Sequence, residues 1–213
     1  TNKLKSLETN INLVSPVEEE YEADVRELEI NLHSNEKDNK KVVLYGSSTF
    51  KDWANANKDL SINNLLNLGF GGSTLVSCRT YFNRIVLPYN PDTIVFYAGD
   101  NDIGSGTSAN ELLNEFLLFS SEVAEKIPHT RCFFISIKPS VFRSEYLDII
   151  LDFNKKVKNS IDHLNQWKYI DLCTPMLETG YEKFYGEDPL HMNILGYSLL
   201  SKLIRDQLDV FIN

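Results

Sequence analysis

The sequence predicts an α/β protein, a three-layer α/β/α sandwich built on a five-stranded parallel sheet. Short apolar runs alternate along the chain with longer amphipathic stretches, the strand, helix, strand order from which parallel sheets are made. Several of the short runs are apolar on consecutive residues, as strands covered on both faces must be. The length of 213 residues and a hydrophobic content of 42% supply one sizeable core, so a single main domain is the default.

Each element has its own signal. Ser15-Pro16-Val17-Glu18 reads as a capping box with proline at the first helical position, and Val17, Tyr21, Val25, Leu28 and Leu32 follow at helical spacing. The polar tract from Ser34 to Lys41 then reads as a solvated connector. Residues 1–40 are accordingly expected to form a helical extension packed on a domain of residues 41–213. Strands are predicted at 41–46, 65–68, 92–98, 131–137 and 167–172, the third being the most apolar. Helices are predicted at 73–85, 111–126, 145–164 and 194–211. The 145–164 helix carries Tyr146, Ile149, Phe153, Val157, Ile161 and Leu164 along one stripe.

Charge and composition narrow the function. A formal net charge of −9, from 21 Lys plus Arg against 30 Asp plus Glu, repels nucleic acid and anionic membrane surfaces. Cys78, Cys132 and Cys173 are odd in number and widely spaced, with no CxxC pair, which fits reduced structural thiols better than a disulfide framework or a zinc site. No run approaches the roughly 20 apolar residues of a membrane helix, and the first residues lack the apolar core of a signal peptide. A soluble, cytoplasmic protein is the default expectation, and a chain beginning at Thr1 is also compatible with a removed leader and a periplasmic or secreted location. Oligomeric state is not legible.

In open parallel sheets ligands bind beyond the carboxyl ends of the strands, and the polar candidates fall there. Gly46-Ser47-Ser48 follows the first strand, Gly71-Gly72-Ser73 the second and Gly99-Asp100-Asn101-Asp102 the third. Asp188-Pro189-Leu190-His191 precedes the last helix. A serine hydroxyl needs an adjacent base to become a nucleophile, a histidine base needs an orienting group, and acyl transfer needs donors for the developing oxyanion. Ser48 beside a helix N-terminus suits the first role, although Ser47, Ser48 and Thr49 equally suit helix capping. Gly72 lets a backbone N–H approach a ligand closely, or simply makes a turn. Asn101 has a side-chain amide to donate, while Asp100 and Asp102 also suit loop capping. His33, His129 and His163 read as surface or capping residues; His191 follows Asp188 by three residues, a spacing at which the carboxylate reaches the imidazole.

Taken in order, these segments resemble the four motif blocks of the SGNH, or GDSL-like, hydrolase superfamily of lipases and acylhydrolases. The first is Gly46-Ser47-Ser48-Thr49-Phe50 with Trp53, the second Asn67 to Ser73, the third Gly99-Asp100-Asn101-Asp102, the fourth Asp188 to His191. The resemblance implies a flavodoxin-like SGNH hydrolase fold. It implies Ser48 as nucleophile, Asp188 and His191 as acid and base, and Ser48 N–H, Gly72 N–H and the Asn101 side chain as oxyanion donors. The aspartate usual in the GDS motif is Ser47 here, which leaves Ser48 as nucleophile by register from Gly46.

The expected activity is hydrolysis of a carboxylic ester through an acyl-enzyme, without metal or organic cofactor. The substrates considered are short acyl esters, acetylated carbohydrates and single-chain phospholipids; transfer to another alcohol uses the same residues. Tyr181, Phe184 and Tyr185, just before Asp188, are candidates for a wall of the substrate pocket or for loop packing. Two other readings are a flavodoxin-like domain holding a phosphate or nucleotide on its glycine turns, and an inactive interaction module of the same fold. The first leaves Asp188 and His191 without a role.

Overall fold

The structure, a computed structural model, describes residues 16–34 and 42–209. Strands β1 (Val42–Gly46), β2 (Leu65–Gly69), β3 (Thr93–Tyr97), β4 (Arg131–Ile135) and β5 (Trp167–Ile170) are all parallel, in the order β2-β1-β3-β4-β5. Helices α1 (Pro16–Ser34), α4 (Leu75–Ile85), α6 (Ala109–Lys126) and α7 (Leu147–Ile161) cover one face. The short α2 (Ser48–Lys51) and α3 (Ala56–Leu60), with α8 (Cys173–Glu178) and α9 (Ile194–Asp209), cover the other. The one-turn helix α5 (Asp100–Gly104) sits above the end of β3.

The period of two along each strand divides the core. Val43, Tyr45, Ile94, Phe96, Cys132 and Phe134 face α1, α4, α6 and α7. Leu44, Val95, Tyr97, Phe133 and Ile135 face α2, α3, α8 and α9. Both sets are almost wholly buried, which is why β1, β3 and β4 read as continuous apolar runs.

Helix boundaries follow capping chemistry. Thr74 Oγ1 accepts from Ser77 N at 3.1 Å and Ser77 Oγ accepts from Thr74 N at 2.8 Å, so α4 begins at Leu75 rather than Ser73. The same reciprocal pair at Ser108 and Glu111 starts α6 at Ala109. One stripe needs correction: on α7 the buried position is Ile150, 1% exposed, whereas Ile149 is 36% exposed. From Tyr146, which lies in a preceding 3-10 turn, the i+3 and i+4 positions are both isoleucine, and it is the i+4 residue that turns into the core. On α1 the expected Tyr21 and Val25 are buried and Leu28 packs beside them. Val17, Leu32, the cap at Ser15, the connector of residues 35–41 and residues 210–213 lie outside the described residues or side chains. Among the described residues no helix is long and apolar enough to cross a membrane.

From β1 the chain crosses to β2 on one side and then to β3 on the other, which opens a crevice above the carboxyl ends of β1 and β3. Gly46, Gly69 and Tyr97 are register partners, so three segments leave the sheet at one level. Gly46 turns there with φ +142°, and a Cβ on it would lie 1.8 Å from the Tyr97 carbonyl oxygen, which accepts from Ser47 N at 3.0 Å. Gly46→Ala should therefore lower unfolding free energy by about 3 kcal/mol or more, read from urea denaturation. An unchanged midpoint would contradict this account of the turn.

Asp102 joins two strand ends: both its carboxylate oxygens lie 3.1 Å from Leu75 N at the start of α4. Burial pushes its carboxyl up to about 7, against the opposing pull of that N–H. A carboxyl raised in the folded state contributes stability fully present below its unfolded pKa of about 4 and lost as pH climbs through about 7. Asp102→Asn, which keeps an acceptor but cannot ionise, should gain stability relative to wild type between pH 4 and pH 8. A difference that is flat with pH would rule this out.

Candidate active site

Ser48 is the first residue of α2, lifted above the sheet by the Gly46 turn. Ser47, its N-cap, makes no side-chain capping bond, and its buried hydroxyl has no hydrogen-bond partner among the described residues. Asn67 ties this turn to β2, donating through Nδ2 to Phe50 O at 2.6 Å and accepting from Gly69 N at 3.1 Å.

His191 arrives from 143 positions further along and places Nε2 3.2 Å from Ser48 Oγ. Its Nδ1 lies 2.6 Å from Asp188 Oδ2, while Asp188 Oδ1 accepts from Leu190 N at 2.8 Å and His191 N at 3.1 Å. The hydrogen bond from His191, followed by those two backbone donors, holds the Asp188 carboxyl down at about 2. With Asp188 ionised, Nδ1 carries the proton and Nε2 is the basic nitrogen facing Ser48. A second carboxylate, Asp52 at the end of α2, stands 3.9 Å from Nε2. The imidazole thus stands between two carboxylates, one beside each ring nitrogen.

The loop carrying this pair is fastened from several directions. Asn193 accepts from Leu195 N and Gly196 N at the start of α9 and donates to Lys183 O and Tyr185 O, each at 2.9 Å. Lys138 Nζ donates to Leu190 O at 2.9 Å, and Phe142 N to Pro189 O at 3.1 Å.

Gly72 and Asn101 stand beside the same crevice. Gly72 is exposed and has φ +71°. Asn101, on α5, donates through Nδ2 to Ser73 O at 3.0 Å and accepts through Oδ1 from Arg143 Nη2 at 2.8 Å. That second contact assigns the amide, because a guanidinium can only donate; the NH₂ end faces the Gly72–Ser73 side and keeps one hydrogen free. Arg143 lies flat over Gly104, where a Cβ would meet its Nε at 2.6 Å, with Nη1 3.2 Å from Asp100 Oδ2. Lys138 also approaches Asp100, at 3.8 Å, and burial lowers its pKa.

Arg143, Lys138 and Asp52 were not among the residues singled out from sequence. The first two follow β4, and the rule that sites gather beyond strand ends points to that segment as it does to the other three. Of the residues considered for a pocket wall or for loop packing, Phe184 and Tyr185 are each 7% exposed within the core beneath α2, α3, α8 and α9, and Tyr181 packs half-buried against it. The Tyr185 hydroxyl donates to Pro139 O, so this ring braces the β4 loop. His129 and His163 are exposed, and the three cysteines are buried and unbridged.

Several solved structures share this architecture. A GDSL-like lipase from Bacteroides thetaiotaomicron VPI-5482 superposes with a TM-score of 0.75 at 18% identity, over 88% of this chain and 98% of its own. A lipase/acylhydrolase from Enterococcus faecalis gives 0.68 at 21% identity, over 81% and 96%. An acetyl-xylooligosaccharide esterase from Geobacillus stearmophilus, as a single-site variant, gives 0.66 at 15% identity, over 79% and 94%. At such identities the likeness establishes the fold. No curated protein sequence matches the chain. The model of one family matches residues 43–199, from β1 into α9 and across every segment of the crevice described above, and the chain belongs to that family, the GDSL-like lipases/acylhydrolases.

Proposed function

We propose that this ester hydrolase works as a serine esterase, through an acyl-enzyme on Ser48. The observation that carries the reading is the hydrogen-bonded series Ser48 Oγ, His191 Nε2 and Nδ1, Asp188 Oδ2, assembled from opposite ends of the domain. In this reading Ser48 Oγ forms a bond to the ester carbonyl carbon as its proton passes to His191 Nε2. The same proton then leaves with the alcohol, breaking the C–O bond. Water, deprotonated by His191, releases the acid. Asp188 keeps the tautomer and balances the imidazolium.

Ser48 N–H, Gly72 N–H and Asn101 Nδ2 are the donors we assign to the oxyanion. Arg143 supports that assignment by polarising the Asn101 carbonyl and preventing the amide from flipping. We favour short acyl groups, the acetylated carbohydrate among them, because the rings considered for an acyl wall are spent on core packing instead. One structural neighbour is an acetyl-xylooligosaccharide esterase, which is in keeping with this.

Hydrolysis of p-nitrophenyl acetate, butyrate and octanoate tests the reading. Ser48→Ala and His191→Ala should each lower kcat by about 10³-fold or more, with Ser47→Ala close to wild type because its buried hydroxyl has no hydrogen-bond partner among the described residues. Acetate and butyrate should be turned over faster than octanoate. A Ser48→Ala protein with wild-type rates would end the proposal.

A further inference from the structure

Helix α1 precedes the segment that the family model matches, yet it reaches the loop after β2. The N–H of Gly72 belongs to the peptide unit joining Gly71 to Gly72. The unit before it is held by its N–H, which donates from Gly71 to Asp24 Oδ2 at 3.4 Å, a long hydrogen bond. The unit after it is held by its carbonyl, where Gly72 O accepts from the Tyr21 hydroxyl at 3.0 Å. Both grips come from α1, one helical turn apart.

Each grip is itself anchored. Asp24 Oδ2 pairs at 2.7 Å with Nζ of Lys51, the last residue of the helix that begins with Ser48. The Tyr21 ring is buried edge-on against Phe70, centroids 5.5 Å apart. Burial, followed by the neighbouring Glu20 carboxylate, pushes its phenol up to about 12, so it remains a donor across the neutral range. Behind them, Arg84 on α4 binds Glu22 at 2.7 Å and Glu29 at 2.9 Å, and Val25 is fully buried. A Cβ added at Gly72 would meet Tyr21 Cε1 at 3.9 Å, so the Tyr21 ring is also the side chain nearest that position.

We propose that Tyr21 and Asp24 are positioning residues that aim the Gly72 N–H at the oxyanion, making α1 a working part of the active site. This rests on the serine-esterase reading, in which Gly72 is an oxyanion donor. Such donors act by being fixed in place before charge develops, so a peptide unit free to rock gives up part of their effect. Formation and breakdown of the acyl-enzyme both pass through an oxyanion. Loosening the loop therefore slows both, and kcat falls while KM holds.

The test compares wild type with Tyr21→Phe, which keeps the buried ring, and Asp24→Ala, at a partly exposed site. Three quantities are read: kcat and KM on p-nitrophenyl acetate, the Ki of phenylboronic acid as a tetrahedral adduct of Ser48, and the melting temperature. Each variant should lose about 5- to 20-fold in kcat, well short of the roughly 10²- to 10³-fold loss of a whole donor. KM should stay within about twofold and the boronate Ki should rise in step with the loss in kcat. Unchanged kcat and Ki in both variants, with only the melting temperature lowered, would make α1 a mere packing element and overturn the proposal while leaving the esterase reading intact. A wild type inert to esters and to boronate would overturn both.

Discussion

The contact between Gly46 and the Tyr97 carbonyl is the constraint on which the rest of the site depends. β1 and β3 are neighbours at the point where the strand order reverses, and the chain must turn out of β1 immediately above β3. Only a residue without a side chain fits where a Cβ would lie 1.8 Å from the Tyr97 carbonyl oxygen, and only glycine accepts φ +142° without strain. The turn delivers Ser48 at the start of α2, just beyond the carboxyl end of β1. Because Gly69 and Tyr97 share the level of Gly46, the loops bearing Gly72 and Asn101 rise beside it without further adjustment.

Around that crevice, polar groups are arranged in two series. One runs from Ser48 through His191 to Asp188, with Asp52 on the far side of the imidazole, and collects negative charge where the ring would become cationic. The other runs from Asn101 through Arg143 and Asp100 to Lys138, and places cations behind the amide that would meet negative charge. Lys138 links the two by donating to Leu190 O, in the peptide unit that carries the His191 backbone N–H. Asn154 supports the second series from below, bonding both N and O of Ile137 at 2.8 Å and fixing where the β4 loop departs. A protein of net charge −9 thus keeps its buried cations where the proposed chemistry makes an anion.

What was legible in the sequence was local. Glycines at strand ends, an asparagine after a strand, and an aspartate three residues before a histidine each satisfy a backbone requirement within a few positions, so the four blocks and the positions of the five strands could be read directly. Helix α5 was not legible because five residues contain no period, and α2 was read only as a helix N-terminus beside Ser48, without bounds. Arg143 and Tyr21 were not legible because their partners lie 42 and 51 positions away and nothing near them in sequence announces the contact. Phe184 and Tyr185 were open to two readings, pocket wall or loop packing, because they stand between charged and turn-forming neighbours. In three dimensions Asn193 folds that segment into a 3-10 turn whose rings face inward, and burial of aromatic area outweighs the polarity of the flanks.

The central claim is that Ser48, and not its neighbour, is the nucleophile activated by His191. The most direct test is mass spectrometry after treatment with a fluorophosphonate, locating the adduct within the tryptic peptide of residues 42–51, which contains both serines. The account predicts one adduct per chain, on Ser48, formed by wild type and suppressed in His191→Ala. An adduct on Ser47, or on Ser48 at a rate indifferent to His191, would contradict it.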